Sequence, residues 1–242
     1  MEMERISKFI ANSGYTSRRG ADELIKSGQV MVNGKKALLG QKVGHDDTIT
    51  INGKLINQNK EKLVYYLLNK PRGVITTNSD EKGRKTVIDL IECKERIYPI
   101  GRLDYDTTGA LLLTNDGELT NRLLHPKNNI QKVYLVKIKG IITVQDIYKL
   151  KKGVKIDHYI TSEAKVKLKS FDKKTMTSFV ELTIHEGHNH QVKKMFESIG
   201  YDVVKLTRLS FAGLNVKSLK SGEYRELSIK EVKTLYSLVK EK

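Results

Sequence analysis

The spacing of apolar residues changes character along the chain. Ile6, Phe9 and Ile10 recur at the interval of one helix face, and the pattern stops at Ser13-Gly14. Ala21, Leu24 and Ile25 repeat it, so a second helix is expected. Gln29-Val-Met-Val-Asn-Gly34 then reads as a strand running into a tight turn, and Thr48-Ile-Thr-Ile-Asn-Gly53 repeats that design. Next, Asn57-Gln-Asn-Lys-Glu-Lys62 offers nothing to bury and is the expected linker. It divides the chain into a small domain, residues 1–58, and a larger one, residues 63–242. Two short helices and two hairpin-like strands in about sixty residues supply only a small core.

Beyond the linker, strand patterns dominate. Residues 64–68 and 74–77 flank Lys70-Pro71-Arg72-Gly73, whose Pro-x-Gly marks a turn. Residues 111–114, 133–138, 164–171, 179–184 and 203–206 are further strand candidates. Helices are fewer. One over 118–124 stops at His125-Pro126, one over 143–151 stops before Gly153, and one over 190–199 stops at Gly200. The last, over 228–239, opens with the Ser-x-x-Glu of a capping box. Strands outnumber helices without regular βαβ alternation. The predicted class is α+β, a mixed and mostly antiparallel sheet preceded by a small α/β module.

Charge narrows the partners. Lys and Arg number 44 against 28 Asp and Glu, a formal net charge of +16, which favours polyanions. The lone cysteine, Cys93, allows no intrachain disulfide and fits a reducing compartment. No apolar run approaches membrane-spanning length, and the opening segment lacks the apolar core of a secretory signal. A soluble cytoplasmic protein with a nucleic-acid partner is expected.

Three clusters carry candidate chemistry. Arg5, Lys8, Arg18, Arg19 and Lys26 put positive charge on the two N-terminal helices, either as a phosphate-binding face or as an ordinary solvated one. Gly101-Arg-Leu-Asp104-Tyr-Asp106-Thr-Thr-Gly109 is a Gly-bounded acidic loop leading into a strand. It admits a calcium loop, a capped turn, or a nucleophilic carboxylate beside Arg102. Calcium is disfavoured because the twelfth loop position is Asn115, which lacks a bidentate carboxylate. Third, His185, His188 and His190 precede Gln191-Val-Lys193-Lys194-Met195-Phe196. Their spacing fits no zinc pattern, and a loop opening a basic, phosphate-holding helix is the better reading. Nucleotide-hydrolysis, dinucleotide-redox and serine-hydrolase motifs are absent from the sequence.

With these residues in place, residues 1–58 resemble the small RNA-binding module named after ribosomal small-subunit protein four. The remainder resembles the RsuA/RluB family of ribosomal RNA pseudouridine synthases. Leu68-Asn-Lys70-Pro-Arg72-Gly73, Gly101-Arg102-Leu-Asp104, Lys132-x-Tyr134-Leu-Val and Glu186-Gly-x-x-His190-Gln191-Val-Lys193-Lys194-Met-Phe196 carry the match. Val203-Val-x-Leu206-x-Arg208 and Gly222-Glu-Tyr-Arg225 extend it. The resemblance implies a pseudouridine synthase-like catalytic domain with Asp104 as nucleophile, Tyr134 as active-site tyrosine and Arg208 as the arginine beside the carboxylate. Leu206 falls on the apolar position against the target base. Arg18, Arg19, Lys70, Arg72, Arg102, His190, Gln191, Lys193 and Lys194 are the expected substrate and RNA contacts. Family members often carry arginine where this chain has His190, Lys193 and Lys194, and lysine lacks arginine's bidentate fork. The implied function is isomerisation of a specific uridine in ribosomal RNA, more in keeping with the large subunit than the small. No metal or organic cofactor is expected, nor membrane association, and a monomer is. A non-catalytic RNA-binding or ribosome-assembly protein on the same fold is the alternative.

Overall fold

The computed structural model describes residues 3–56 and 62–239. Contacts divide the chain into two compact units, Met1–Leu63 with Lys94–Arg96, and Val64–Cys93 with Ile97–Lys242. The expected linker, apart from Lys62, lies outside the described residues.

In the first unit, helix α1 (Ile6–Asn12) and helix α2 (Arg18–Lys26) pack on a small antiparallel sheet. Ser17 caps α2 by accepting the Gly20 N–H at 2.9 Å. The strands are β1 (Val30–Val32), β2 (Lys35–Lys36), β3 (Ile49–Ile51) and β4 (Lys54–Leu55), in the order β2-β1-β3-β4. Asn33-Gly34 and Asn52-Gly53 all have positive φ, the backbone that two-residue hairpin turns require. Ile6, Ile10, Ala21, Ile25, Val30, Val32, Ile49 and Ile51 form the core. Arg18 and Arg19 are both left exposed on α2.

The second unit is organised by a nine-stranded sheet. Its principal members are β5 (Tyr65–Lys70), β6 (Thr108–Thr114), β7 (Lys132–Lys139), β8 (Lys165–Asp172), β9 (Thr177–Ile184), β10 (Val203–Phe211) and β11 (Tyr224–Glu226). Their order is β8-β9-β7-β10-β6-β5-β11. Every ladder is antiparallel except β6 with β10, which run parallel. The helices are α3 (Gly117–Leu124), α4 (Val144–Lys152), α5 (Gln191–Glu197) and α6 (Ile229–Leu238). The capping box at Ser228 and Glu231 forms as its sequence predicts.

Two cores follow from strand alternation. Leu111 and Leu113 of β6, Val136 and Ile138 of β7, and Leu182 of β9 face Leu150 of α4 and Met195 and Phe196 of α5. Leu67 of β5 with Ala110 and Leu112 of β6 face the other way, onto Leu119 and Leu123 of α3 and Leu235 of α6. The expected strand over 74–77 is reduced to an isolated bridge, Ile75 with Thr86. Thr76 explains this: its Oγ1 donates to the Leu103 carbonyl at 2.7 Å and accepts the Leu103 N–H at 3.3 Å, tying the segment to the acidic loop. In contrast β6 and β10 extend beyond their predicted ends, and the added residues are those that join the two strands.

Candidate active site

Asp104 lies four residues before β6, in a turn closed by the Thr107 N–H donating to its carbonyl at 3.1 Å. Three neighbours fix this turn. Lys70, at the end of β5, sends its Nζ to the carbonyls of Pro71 at 3.1 Å and of Asp104 and Thr107 at 3.0 Å each. The Gly73 N–H donates to the Tyr105 carbonyl at 2.9 Å, and Thr76 holds Leu103 from the other side. The carboxylate itself stays accessible, its side chain 34% exposed.

Around it the charge is balanced from α5. His190 Nε2 lies 3.5 Å from Asp104 Oδ1, and Lys193 Nζ lies 3.5 Å from Oδ2. Lys193 also grips Asp106, at 2.8 Å and 3.0 Å to its two oxygens. The Lys193 hydrogen bond holds the Asp106 carboxyl below its ordinary range, against the opposing effect of burial. Burial also works against the Lys193 charge, but the hydrogen bond to Asp106 and the negative charges of Asp104 and Asp106 outweigh it and raise the Lys193 pKa.

The parallel join brings the second half of the site to the first. Thr108 pairs with Thr207 and Gly109 with Arg208, and the two threonine hydroxyls meet at 2.9 Å. Gly109 has φ of +106°, and a Cβ there would collide with the Arg208 carbonyl, so no other residue fits. On its far side β10 pairs with β7, setting Arg208 opposite Tyr134 and Leu206 opposite Val136. Tyr134 is 8% and Leu206 6% exposed, both within the core that α5 covers. Arg208 is 2% exposed; its Nε donates to the Ala110 carbonyl at 2.7 Å, its guanidinium carbon sits 4.9 Å from the Phe211 ring centre, and Nη2 is buried without a hydrogen-bond partner.

Several sequence expectations change here. Lys70 is wholly buried and consumed by loop carbonyls, so it shapes the Asp104 turn and does not face RNA. Gln191 is buried too: its amide donates to Glu186 and accepts the His188 N–H at 3.0 Å, which fixes the loop before α5. The ion-pair partners of Asp104 are His190 and Lys193, whereas Arg208 was expected in that place; Arg208 is turned onto Phe211 and the β6 backbone. Lys194 pairs with Asp157, away from the acidic loop. Arg72 and Arg102 are exposed.

The three histidines part company: His185 Nδ1 meets the Asn129 carbonyl, His188 packs on Tyr159 and His190 reaches Asp104. Among the described residues no three metal-ligating side chains converge. Sequence reasoning gave Thr76 no role, and treated Lys132 only as part of a motif. Lys132 is partly buried, its Nζ 3.1 Å from the His185 carbonyl, and burial, then the Arg208 charge, lower its pKa to about 8 against a smaller opposing pull from Glu186. A charged residue in a strand whose alternate positions are apolar was the available signal.

Comparison with known proteins decides among the chemistries this geometry allows. Residues 64–198 match the model of the RNA pseudouridylate synthase family. The chain belongs to that family. Residues 4–49 match the S4 domain. The ribosomal large subunit pseudouridine synthase B of Bacillus subtilis is 52% identical over 98% of this chain and 97% of its own length. The dual-specificity RNA pseudouridine synthase RluF of Escherichia coli is 37% identical over 97% of this chain and 79% of its own. A pseudouridylate synthase of known crystal structure, 32% identical, superposes with a TM-score of 0.68 over 96% of this chain and 99% of that one.

Proposed function

We propose that this chain isomerises a uridine of large-subunit ribosomal RNA to pseudouridine, with Asp104 as the nucleophile. The observation that carries the reading is the setting of Asp104: partly exposed, on a backbone pinned by a buried lysine, with the Lys193 ammonium and the His190 ring each 3.5 Å away. The Bacillus subtilis relative, alike over nearly its whole length, is named for large-subunit activity and supports the choice of RNA.

The reaction exchanges one bond at the ribose for another. The bond between C1′ and N1 of uracil breaks, the base turns, C5 bonds to C1′, and C5 gives up its proton while N1 gains one. An accessible carboxylate beside a lysine is suited to attack ribose or base without a cofactor. Lys193 supplies the positive charge there, and the His190 ring is a further polar neighbour of the carboxylate. Tyr134 and Leu206 form the wall against which uracil turns, and the unpartnered Nη2 of Arg208 is the donor left for the substrate. The target nucleotide must leave its stack, which costs a few kcal/mol and is easiest in a loop or bulge.

In this reading residues 1–58 grip RNA backbone through Arg18 and Arg19, and residues 63–242 carry the chemistry, with Arg72 and Arg102 as further phosphate contacts. A cytoplasmic monomer is part of this proposal, in keeping with a ribosomal RNA substrate. Separately, no helix among the described residues is long and apolar enough to cross a membrane. Asp104→Asn keeps the side-chain shape and removes the nucleophile. Turnover, read as pseudouridine formed in large-subunit RNA, is expected to fall by about 10⁴-fold or more while RNA affinity holds. An Asn variant that still isomerises uridine removes Asp104 from its role. A wild-type protein that binds RNA and modifies none of it makes the chain a non-catalytic binder.

A further inference from the structure

The sheet of the second unit is covered unevenly. One face carries the core under α4 and α5, while α3 and α6 cover the other face only over β5 and β6. Across β8, β9, β7 and the start of β10, that other face presents partly or fully exposed side chains at its alternate positions, apart from the buried Thr177. Four strands at their usual spacing and six residues of length make an open area of roughly 15 by 20 Å.

Its chemistry is one-sided. Lys165 and Lys167 point from β8, Lys137 from β7 and Lys205 from β10. Two acids lie among them: Glu181 of β9, which Lys169 already pairs with at 3.3 Å, and Asp172 at the end of β8, whose charge Lys137 senses. Lysines on β8 have an ordinary explanation, since charge on an edge strand deters pairing with another sheet. That explanation does not reach Lys137 and Lys205, which lie two and three strands inside the edge. These two are cross-strand partners in direct register. Like charges directly opposite each other destabilise a sheet. The Lys137 ammonium lies 5.3 Å from the Phe179 ring centre, a cation–π contact, while Lys205 is exposed and pairs with no acid among the described residues. A face that retains such a pair away from any edge is built for an anion.

We infer that this open, basic half-face of the sheet, centred on Lys137 and Lys205, is a second RNA-backbone binding surface, distinct from the Asp104 site. Its partner follows from charge and family: phosphodiesters of an RNA that this pseudouridylate synthase engages. A second copy of the chain would set lysine against lysine. Phosphates bridging the lysine pair would relieve its repulsion, and Thr183 supplies a neighbouring hydroxyl on the same face. The inference does not depend on the catalytic role of Asp104.

The test is Lys205→Glu in the full-length protein, read two ways. The change turns a repelling cross-strand pair into an attracting one, so the melting temperature is expected to rise by roughly 1–3 °C. Affinity for a large-subunit RNA fragment is expected to fall, with a salt dependence shallower by at least about 0.7 in log–log slope. Lys137→Ala with Lys205→Ala is expected to lower the slope by about 1.4. Binding is measured in parallel in the Asp104→Asn protein, so a failed catalytic assignment leaves the result readable. Unchanged affinity and slope would overturn the inference. So would a fall in melting temperature together with affinity, which would make Lys205 structural. Loss of binding to an acidic peptide with RNA binding intact would overturn it in favour of a protein partner.

Discussion

Lys70 and Arg72 stand two positions apart in one basic segment, and the fold treats them oppositely. Arg72 is exposed, whereas the Lys70 ammonium is enclosed by three carbonyls, and burial pushes its pKa down to about 8 against the pull of Asp104 and Asp106. Lys70→Met would leave those buried carbonyls without a donor, at about 1–3 kcal/mol for each one that water does not reach. Thermal unfolding should show the loss, and turnover should fall with it because the Asp104 turn loses its anchor. The wild type should also show opposite trends above about pH 8. There the folded protein releases a proton that the unfolded chain keeps until its ordinary pKa of 10.5, so the Lys70 contribution to stability rises with pH across that window. Turnover should decline over the same range, since a neutral amine has one donor fewer for the loop. In Lys70→Met the rise in stability should shrink, Lys132 with its pKa of about 8 contributing the remainder, and the turnover decline due to Lys70 should be lost. Asp104 and Lys193 stood out in the sequence as candidates because a carboxylate in a Gly-bounded loop and a basic helix announce themselves by type. The inward turn of Lys70, Gln191 and Arg208 was not legible, because burial is decided by strands distant in sequence.

Elements were legible wherever one local rule governs them. Ser17 and Ser228 start helices by accepting backbone N–H groups, and the Asn-Gly pairs turn hairpins, so α2, α6 and the small sheet follow from short stretches of chain. Pairing between strands was not legible, since alternation gives a strand's faces and not its neighbours. Residues 74–77 have the look of a strand and end as an isolated bridge, because Thr76 is committed to Leu103. The parallel join of β6 and β10 depends on Gly109, whose left-handed backbone leaves room only for hydrogen against the Arg208 carbonyl. Gly109→Ala should cost about 2–4 kcal/mol, combining a strained φ with overpacking against backbone, and should abolish turnover. Gly34→Ala, also at positive φ but facing open space, should cost about 1 kcal/mol and leave turnover intact. Denaturant unfolding of the two variants, with turnover at saturating RNA, makes the comparison.

For the molecule as a whole, the two units hold separate cores, and a charge of +16 lies over both. A chain starting at Lys62 should therefore fold and keep Asp104, Tyr134 and Arg208. It should bind large-subunit RNA more weakly, with a salt slope lower by about 0.7–0.9 for each phosphate contact that Arg18, Arg19 and their neighbours make. Binding and single-turnover rates at several salt concentrations test this, and an unchanged slope would return the α2 arginines to an ordinary solvated surface. The division into a small and a large unit was visible in the polar run before Val64. That β6 meets β10 was not, and the way they meet bears on how the protein comes to exist. Thr108 and Thr207 touch across 99 residues of chain. Closing so long a loop costs about 4 kcal/mol of chain entropy before any contact repays it, whereas the hairpin of β8 and β9 closes over a few residues. Sheet and helices should form first during refolding, and the ability to modify RNA should return in a later phase. If the join forms after the transition state, as its sequence separation predicts, Gly109→Ala should hasten unfolding far more than it slows folding. A newly made chain of this enzyme passes through an interval in which it is folded by most measures and catalytically silent.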